Sequence, residues 1–287
     1  MTYSWFKASI AVASVLACGT SSAAEPIGTD VLRFGVVNQR SPQLMAQYWN
    51  PILDYIGRKS GVALELRIGK AAPDTTALAV RGELDFFYTN HLFSVERDRL
   101  GWRVFARGAG EPIRGELVVA ESSAIGSLAD LKGKGVVFPS PEAFVGYWLP
   151  MDALLAAGVQ VKPLFAGNQE GAIAQLRAGT AAAAGVNAKV AAEYAKREAL
   201  RYRAIWSSEP YLDLALMAHP RVPSASVDAV RAAFVRMSED AEGLRILEAS
   251  AALVQQRPPF GFVAAENKDY ENYRRFYRTT LVRPVAN

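Results

Sequence analysis

An alternation of strand-like and helix-like stretches, which runs, breaks, restarts and breaks again, limits this chain's fold more than any other feature. Residues 31–37 read as a strand, 44–59 as a helix ending near Gly61, and 63–68 as a second strand. A short helix over 75–81 is stopped by Gly82, and an apolar strand follows at 84–88. A helix over 91–100 and an extended run over 102–107 complete the first series. After "GAGEP" (108–112) the pattern restarts with strands at 116–120 and 136–138 and a helix over 143–157 that ends at Gly158. A strand at 161–165, a helix over 170–178, a strand at 181–186, a helix over 188–197 and a strand at 202–206 follow. "SSEP" (207–210) is the second break, and after it come a strand over 212–217 and helices over 224–237, 242–251 and 267–279.

Such alternation predicts an α/β fold built from βαβ units around mostly parallel sheets. The two breaks divide it into two lobes. We expect the first lobe over 25–113, completed by 210–287, and the second over 114–209. Crossing segments near 111–119 and 207–216 would form a two-segment hinge. Two stretches echo each other, "GELDFFYTN" (82–90) and "GTAAAAGVN" (179–187). Each has a helix-ending glycine, an apolar strand and an asparagine where the strand emerges. This places Asn90 and Asn187 at equivalent strand ends facing one cleft, where ligands of open α/β sheets bind.

The N-terminal 24 residues read as an export signal rather than as part of the fold. Lys7 supplies the positive region, an apolar stretch follows, and "SAA" (22–24) is a small-residue cleavage site. The stretch is too short for a membrane span. Cleavage removes one lysine and no acid, so the formal charge falls from +4 to +3. That charge is scattered, which argues against a nucleic-acid partner. The single cysteine, Cys18, lies in the leader, so the mature chain has no disulfide and no cysteine-based metal site. A soluble, monomeric periplasmic product is expected. "VLAC" (15–18) also resembles a lipoprotein box, which would instead leave a lipid anchor on Cys18.

Catalytic chemistry is sparse. There is no GxSxG, Walker loop, GxGxxG or HExxH motif, and the mature chain has two histidines, His91 and His219. No enzyme activity, cofactor or metal is expected. Arg40 is a candidate fork for a ligand carboxylate. Tyr88, Thr89, Asn90 and His91 sit at a strand-to-helix turn. Ser140 and Pro141 fit a helix cap and first turn, with Glu142 favoured by the helix dipole.

The chain resembles the exported substrate-binding proteins of phosphonate, phosphite and phosphate ABC transporters. The resemblance rests on "VLRFGVV", "GELDFFYTNHLFSVE", "SLADLKGKGVVFPSPEAFVGYWLP" and "FAGNQEGAIAQLRAGTAAAAGVN". It implies a type II periplasmic-binding-protein fold, with two mixed sheets flanked by helices. It also implies hinge closure on a small organic acid or oxyanion, and delivery to an inner-membrane permease. Similar domains also feed membrane sensor kinases. The implied ligand positions are Gln39 and Arg40, Tyr88 to Asn90, Glu142 with Ala143 and Phe144, Gln169 and Glu170, and Asn187.

The departures bear on the ligand. Relatives of the phosphonate type carry Ser and Thr where Ala143, Phe144 and Val145 stand, and commonly His where Gln169 falls. Each missing hydroxyl removes a hydrogen bond to a charged oxygen, worth about 1.5–3 kcal/mol. We therefore expect main-chain amides at the helix start, apolar walls and a ligand with an apolar part against Phe144.

Overall fold

The computed structural model describes residues 1–2 and 31–283; the rest of the leader, its cleavage site and Cys18 lie outside them. Two mixed sheets carry the fold. The first contains β1 (Leu32–Val36), β2 (Leu64–Arg67), β3 (Phe86–Thr89) and β4 (Arg103–Gly108), joined later by β10 (Ala215–Ala218) and β11 (Phe262–Ala264), in the order β11-β4-β10-β3-β1-β2. Its β2-β1-β3 core is parallel, and β10 and β11 add antiparallel pairings. The second contains β5 (Gly115–Ala120), β6 (Gly135–Phe138), β7 (Lys162–Phe165), β8 (Ala183–Asn187) and β9 (Tyr202–Ser207), in the order β7-β6-β8-β5-β9. Here β7, β6 and β8 run parallel, and β5 pairs antiparallel with β8 and β9.

The helices follow from their caps and apolar faces. In α1 (Pro42–Ser60) the Ser41 hydroxyl accepts from the Leu44 amide, and Gly61 ends the helix at φ 71°. Its buried residues Met45, Trp49, Ile52, Leu53 and Ile56 recur at helical spacing and cover the first sheet. Next come α2 (Ala72–Val80) and the single turn α3 (Val95–Asp98). The second sheet carries α4 (Leu149–Ala156), α5 (Gln169–Arg177) and α6 (Ala188–Arg197). Asn168 caps α5, and Asn187 caps α6. The tail supplies α7 (Ser224–Arg236) and α8 (Ala241–Leu253), which pack with α1 over the first sheet, and α9 (Glu271–Thr279).

Two segments cross between the sheets and bond to each other. The amide of Ile113 donates to the Tyr211 carbonyl at 2.7 Å and the Tyr211 amide returns to Ile113 at 2.8 Å. Ser208 then exchanges bonds with Gly115, through its amide at 2.9 Å and its hydroxyl at 3.0 Å. The end of α9 makes a further connection. Phe276 and Tyr277 meet Phe144, Tyr277 meets Trp148, and the Thr280 hydroxyl and Leu281 amide donate to Asp152.

Four expectations change in detail. The helix expected over 91–100 shrinks to α3, because the Thr89 hydroxyl takes the His91 amide and Ser94 caps the turn at Arg97. The helix expected over 143–157 opens as a π turn, Phe144–Trp148, before α4. Pro150 has no N–H to return to Gly146, so the ladder widens, and the Trp148 amide reaches the Ala143 carbonyl at 3.1 Å. Ser140 is therefore no helix cap; its carbonyl accepts from Ala143 in a preceding turn. The strand expected over 212–217 starts only at Ala215, since the carbonyls of Leu212 and Asp213 are taken by the Tyr273 and Tyr270 hydroxyls.

Candidate functional site

Two adjoining hollows lie between the sheets. The smaller, ≈ 20 Å³, is bounded by Gln39, Asn90 and His91 on one side and by Ser140, Ala143, Phe144, Gln169 and Asn187 on the other. That is room for about one water-sized group. The larger, ≈ 50 Å³, shares Gln39 and Asn187 with it. Arg40, Tyr48, Trp49, Tyr88 and Asp213 line it from the first side, and Lys189 and Glu193 from the second. The echoing asparagines, Asn90 and Asn187, thus meet in one hollow.

In the smaller hollow most polar groups are already engaged. The His91 Nδ1 and the Thr76 hydroxyl are 2.9 Å apart, both groups buried. Burial, with the Arg97 charge adding to it, lowers the His91 pKa to about 3, so the ring is neutral. Gln169 accepts the Asn187 amide at 2.8 Å. The Ala143 amide is bonded to Ser140, so it is not the free donor expected of it. Ser140 Oγ, buried at 1 % exposure, has no hydrogen-bond partner among the described residues.

Phe144 lines this hollow, yet its ring is committed elsewhere. It lies 4.1 Å from the Tyr273 ring and 4.9 Å from that of Tyr211, centroid to centroid. Glu142 lines neither hollow. It stands 3.6 Å from Arg97, so it does not front the helix start as a bare charge. Thr89 and Glu170 also stand outside both.

Charge in the larger hollow is tightly paired. Arg40 is buried and bonded to Glu193, and its Nε lies 3.3 Å from Glu170, outside hydrogen-bond geometry. Glu170 takes a second guanidinium, Arg197, at 2.8 Å. Lys189 and Asp213 pair at 3.2 Å. Burial pushes the Glu193 carboxyl above its usual range, against the pull of Arg40. Burial likewise raises the Tyr48 hydroxyl to about 12. These pairs join the two sides, as do hydrogen bonds from the Ala72 amide to the Gly167 carbonyl and from the Glu170 amide to the Gln39 carbonyl.

A family model described as the periplasmic substrate-binding protein of phosphonate ABC transporters matches residues 34–270. The chain belongs to this family. It is a periplasmic solute-binding protein that takes a small anionic or polar ligand for an ABC importer, and its partner is a membrane permease. The family is one of binding proteins, so the chain is not an enzyme. Comparison with curated proteins found no match.

Among solved structures, this binding protein is similar to the binding component of an ABC phosphonate transporter from Pseudomonas aeruginosa. The TM-score is 0.73 at 18% identity, over 86% of each chain. It is similar to PhnD1 of Prochlorococcus marinus, in complex with methylphosphonate, at TM-score 0.71 and 18% identity, over 86% of this chain and 97% of the other. An ancestral arginine-binding protein bound to arginine matches at TM-score 0.54 and 20% identity, over 76% and 98%. At these identities the structural likeness speaks for the fold.

Among the residues of the larger hollow that sequence did not single out are Tyr48, Trp49, Lys189, Glu193 and Asp213. Asp213 carried a signal, an acid inside the apolar run "LDLAL" (212–216). Lys189 and Glu193 lie one helical turn apart on α6, a pair readable only once Asn187 is known to start that helix.

Proposed function

We propose that the ligand is held between the lobes in the Arg40–Asp213 hollow, and that its polar end carries a balanced pair of charges. One observation carries this reading. The two cations that line the hollow, Arg40 and Lys189, already pair with carboxylates. A dianion would either add uncompensated negative charge to a buried site or strand the carboxylates it displaced, at several kcal/mol per ion. A zwitterion exchanges partners instead. Its carboxylate takes the Arg40 fork, and its ammonium replaces Lys189 at Asp213 or Arg40 at Glu193.

Gln39, Tyr88 and Asn187 complete the polar wall in this reading. Asn90, His91, Ala143, Phe144 and Gln169 form the floor. Thr89 supports His91, Glu170 holds Arg40, and Glu142 holds Arg97. The lobes are 25–113 with 210–287, and 114–209. No observation favours a sensor kinase over the permease as partner, or a lipid anchor over a free periplasmic protein.

Calorimetric titration tests the charge argument. Norvaline should bind at least tenfold more tightly than methylphosphonate or inorganic phosphate. Tight binding of either phosphorus oxyanion, with none of norvaline, would contradict it.

A further inference from the structure

A second concavity lies against the charged wall of the larger hollow. Gly110, Lys189 and Glu193 line the hollow on one face, and on the other they line a groove of ≈ 330 Å³. This groove runs between the crossing segment at Pro112 and Ile113, Ala192 on α6, and the turn at Pro258 and Pro259. Its outer end is open, since Ala192, Pro258 and Pro259 are exposed. Pro112, Ile113, Ala192, Pro258 and Pro259 give it an apolar floor drawn from both lobes and the hinge, and Glu111, Lys196 and Arg257 also line it.

The groove's rim has a matching character. Lys196 and Arg257 border it, and neither forms an ion pair among the described residues. Long cationic side chains of this kind lay their methylene stems along apolar surface and keep the charge in water. Gln255, on the same rim, is held at φ 58°, a conformation that residues with side chains seldom adopt.

We propose that the ligand is elongated, with its polar end in the hollow and an aliphatic chain of several methylenes leaving through this groove. The inference rests on the reading that the polar end is held at Arg40 and Asp213. The ion pairs Arg40–Glu193 and Lys189–Asp213 stand at the junction between hollow and groove. A zwitterionic head that exchanges partners with them lies where a chain leads outward past Gly110. The groove is several times the size of the polar hollow, so chain length sets affinity among ligands that share a head. Each methylene moved from water onto such a wall is worth up to about 0.8 kcal/mol, or a factor of about 2 to 4 in affinity.

The test is a calorimetric titration of the full mature protein with one homologous series: alanine, 2-aminobutyrate, norvaline, norleucine and 2-aminooctanoate. The expected result is a Kd that falls about 2- to 4-fold per added methylene before levelling off. In Ala192→Trp, which fills the groove, the ratio between the longest and shortest members should collapse towards one. That ratio is taken within one variant, so a change in its active fraction does not disturb it. A flat series in the unaltered protein overturns the chain subsite alone and leaves the groove as a surface for another protein. An unchanged ratio in Ala192→Trp places the chain elsewhere and overturns it equally. Binding by no member overturns both this inference and the zwitterion reading beneath it.

Discussion

Arg40 shows how much a single side chain can depend on its surroundings. In sequence it is a loop arginine after a strand; in the fold it is buried, held by Glu193 and close to Glu170. Removing one partner of a buried pair strands the other. Arg40→Met should therefore cost about 3–5 kcal/mol, measured by urea unfolding. Adding Glu193→Leu to it should recover part of that loss; a double variant less stable than Arg40→Met would count against the pairing. His91 makes a second prediction. Its pKa falls from 6.5 to about 3 on folding, so the unfolded chain binds its proton first as pH drops. The stability contribution is complete above about pH 6.5 and shrinks as pH falls towards 3, by about 2–3 kcal/mol at pH 4.5. His91→Gln should flatten that part of the stability curve relative to the unaltered protein, and parallel curves would refute it. Both residues were visible in the sequence as candidates. Their burial was not, because it depends on α6 and α2, which pack onto them from elsewhere in the chain.

At the scale of elements, the strand ends and most helices could be read from periodicity and caps, and α6 runs over the very residues expected of it, 188–197. Where the reading failed, local chemistry or a distant partner intervened. Pro150 converted the start of a helix into a π turn. The three-residue β11 follows Gly261 and is too short for periodicity to reveal. The destination of Phe144 was hidden because its neighbours Tyr273 and Phe276 belong to α9, more than a hundred residues later. Two measurements probe this junction. Phe144→Ala removes a ring buried among four aromatic side chains and should cost about 3–5 kcal/mol in thermal or urea unfolding; a loss under 1 kcal/mol would show that the cluster does not hold α9. The π turn also packs its backbone on β8. A methyl at Gly185 would stand 2.5 Å from the Gly146 carbonyl oxygen, which is main chain and cannot swing aside. Gly185→Ala should lower stability by about 1–3 kcal/mol, and a neutral result would mean that the turn is free to move.

At the scale of the whole molecule, the two lobes and their paired crossing segments followed from where the alternation broke. The polar hollow did not, because it is assembled from six separate stretches of chain, among them those of Arg40, Tyr88, Gly110, Lys189, Asp213 and Gln256. Joined as they are by ion pairs, crossing strands and the end of α9, the lobes enclose a site with little spare charge. The central claim is that a ligand with balanced charges occupies it. Native mass spectrometry of the freshly purified mature protein, with fragmentation of whatever it carries, tests this most directly. The account predicts a bound zwitterion with an aliphatic chain; recovery of phosphate or a short phosphonate from the protein would contradict it.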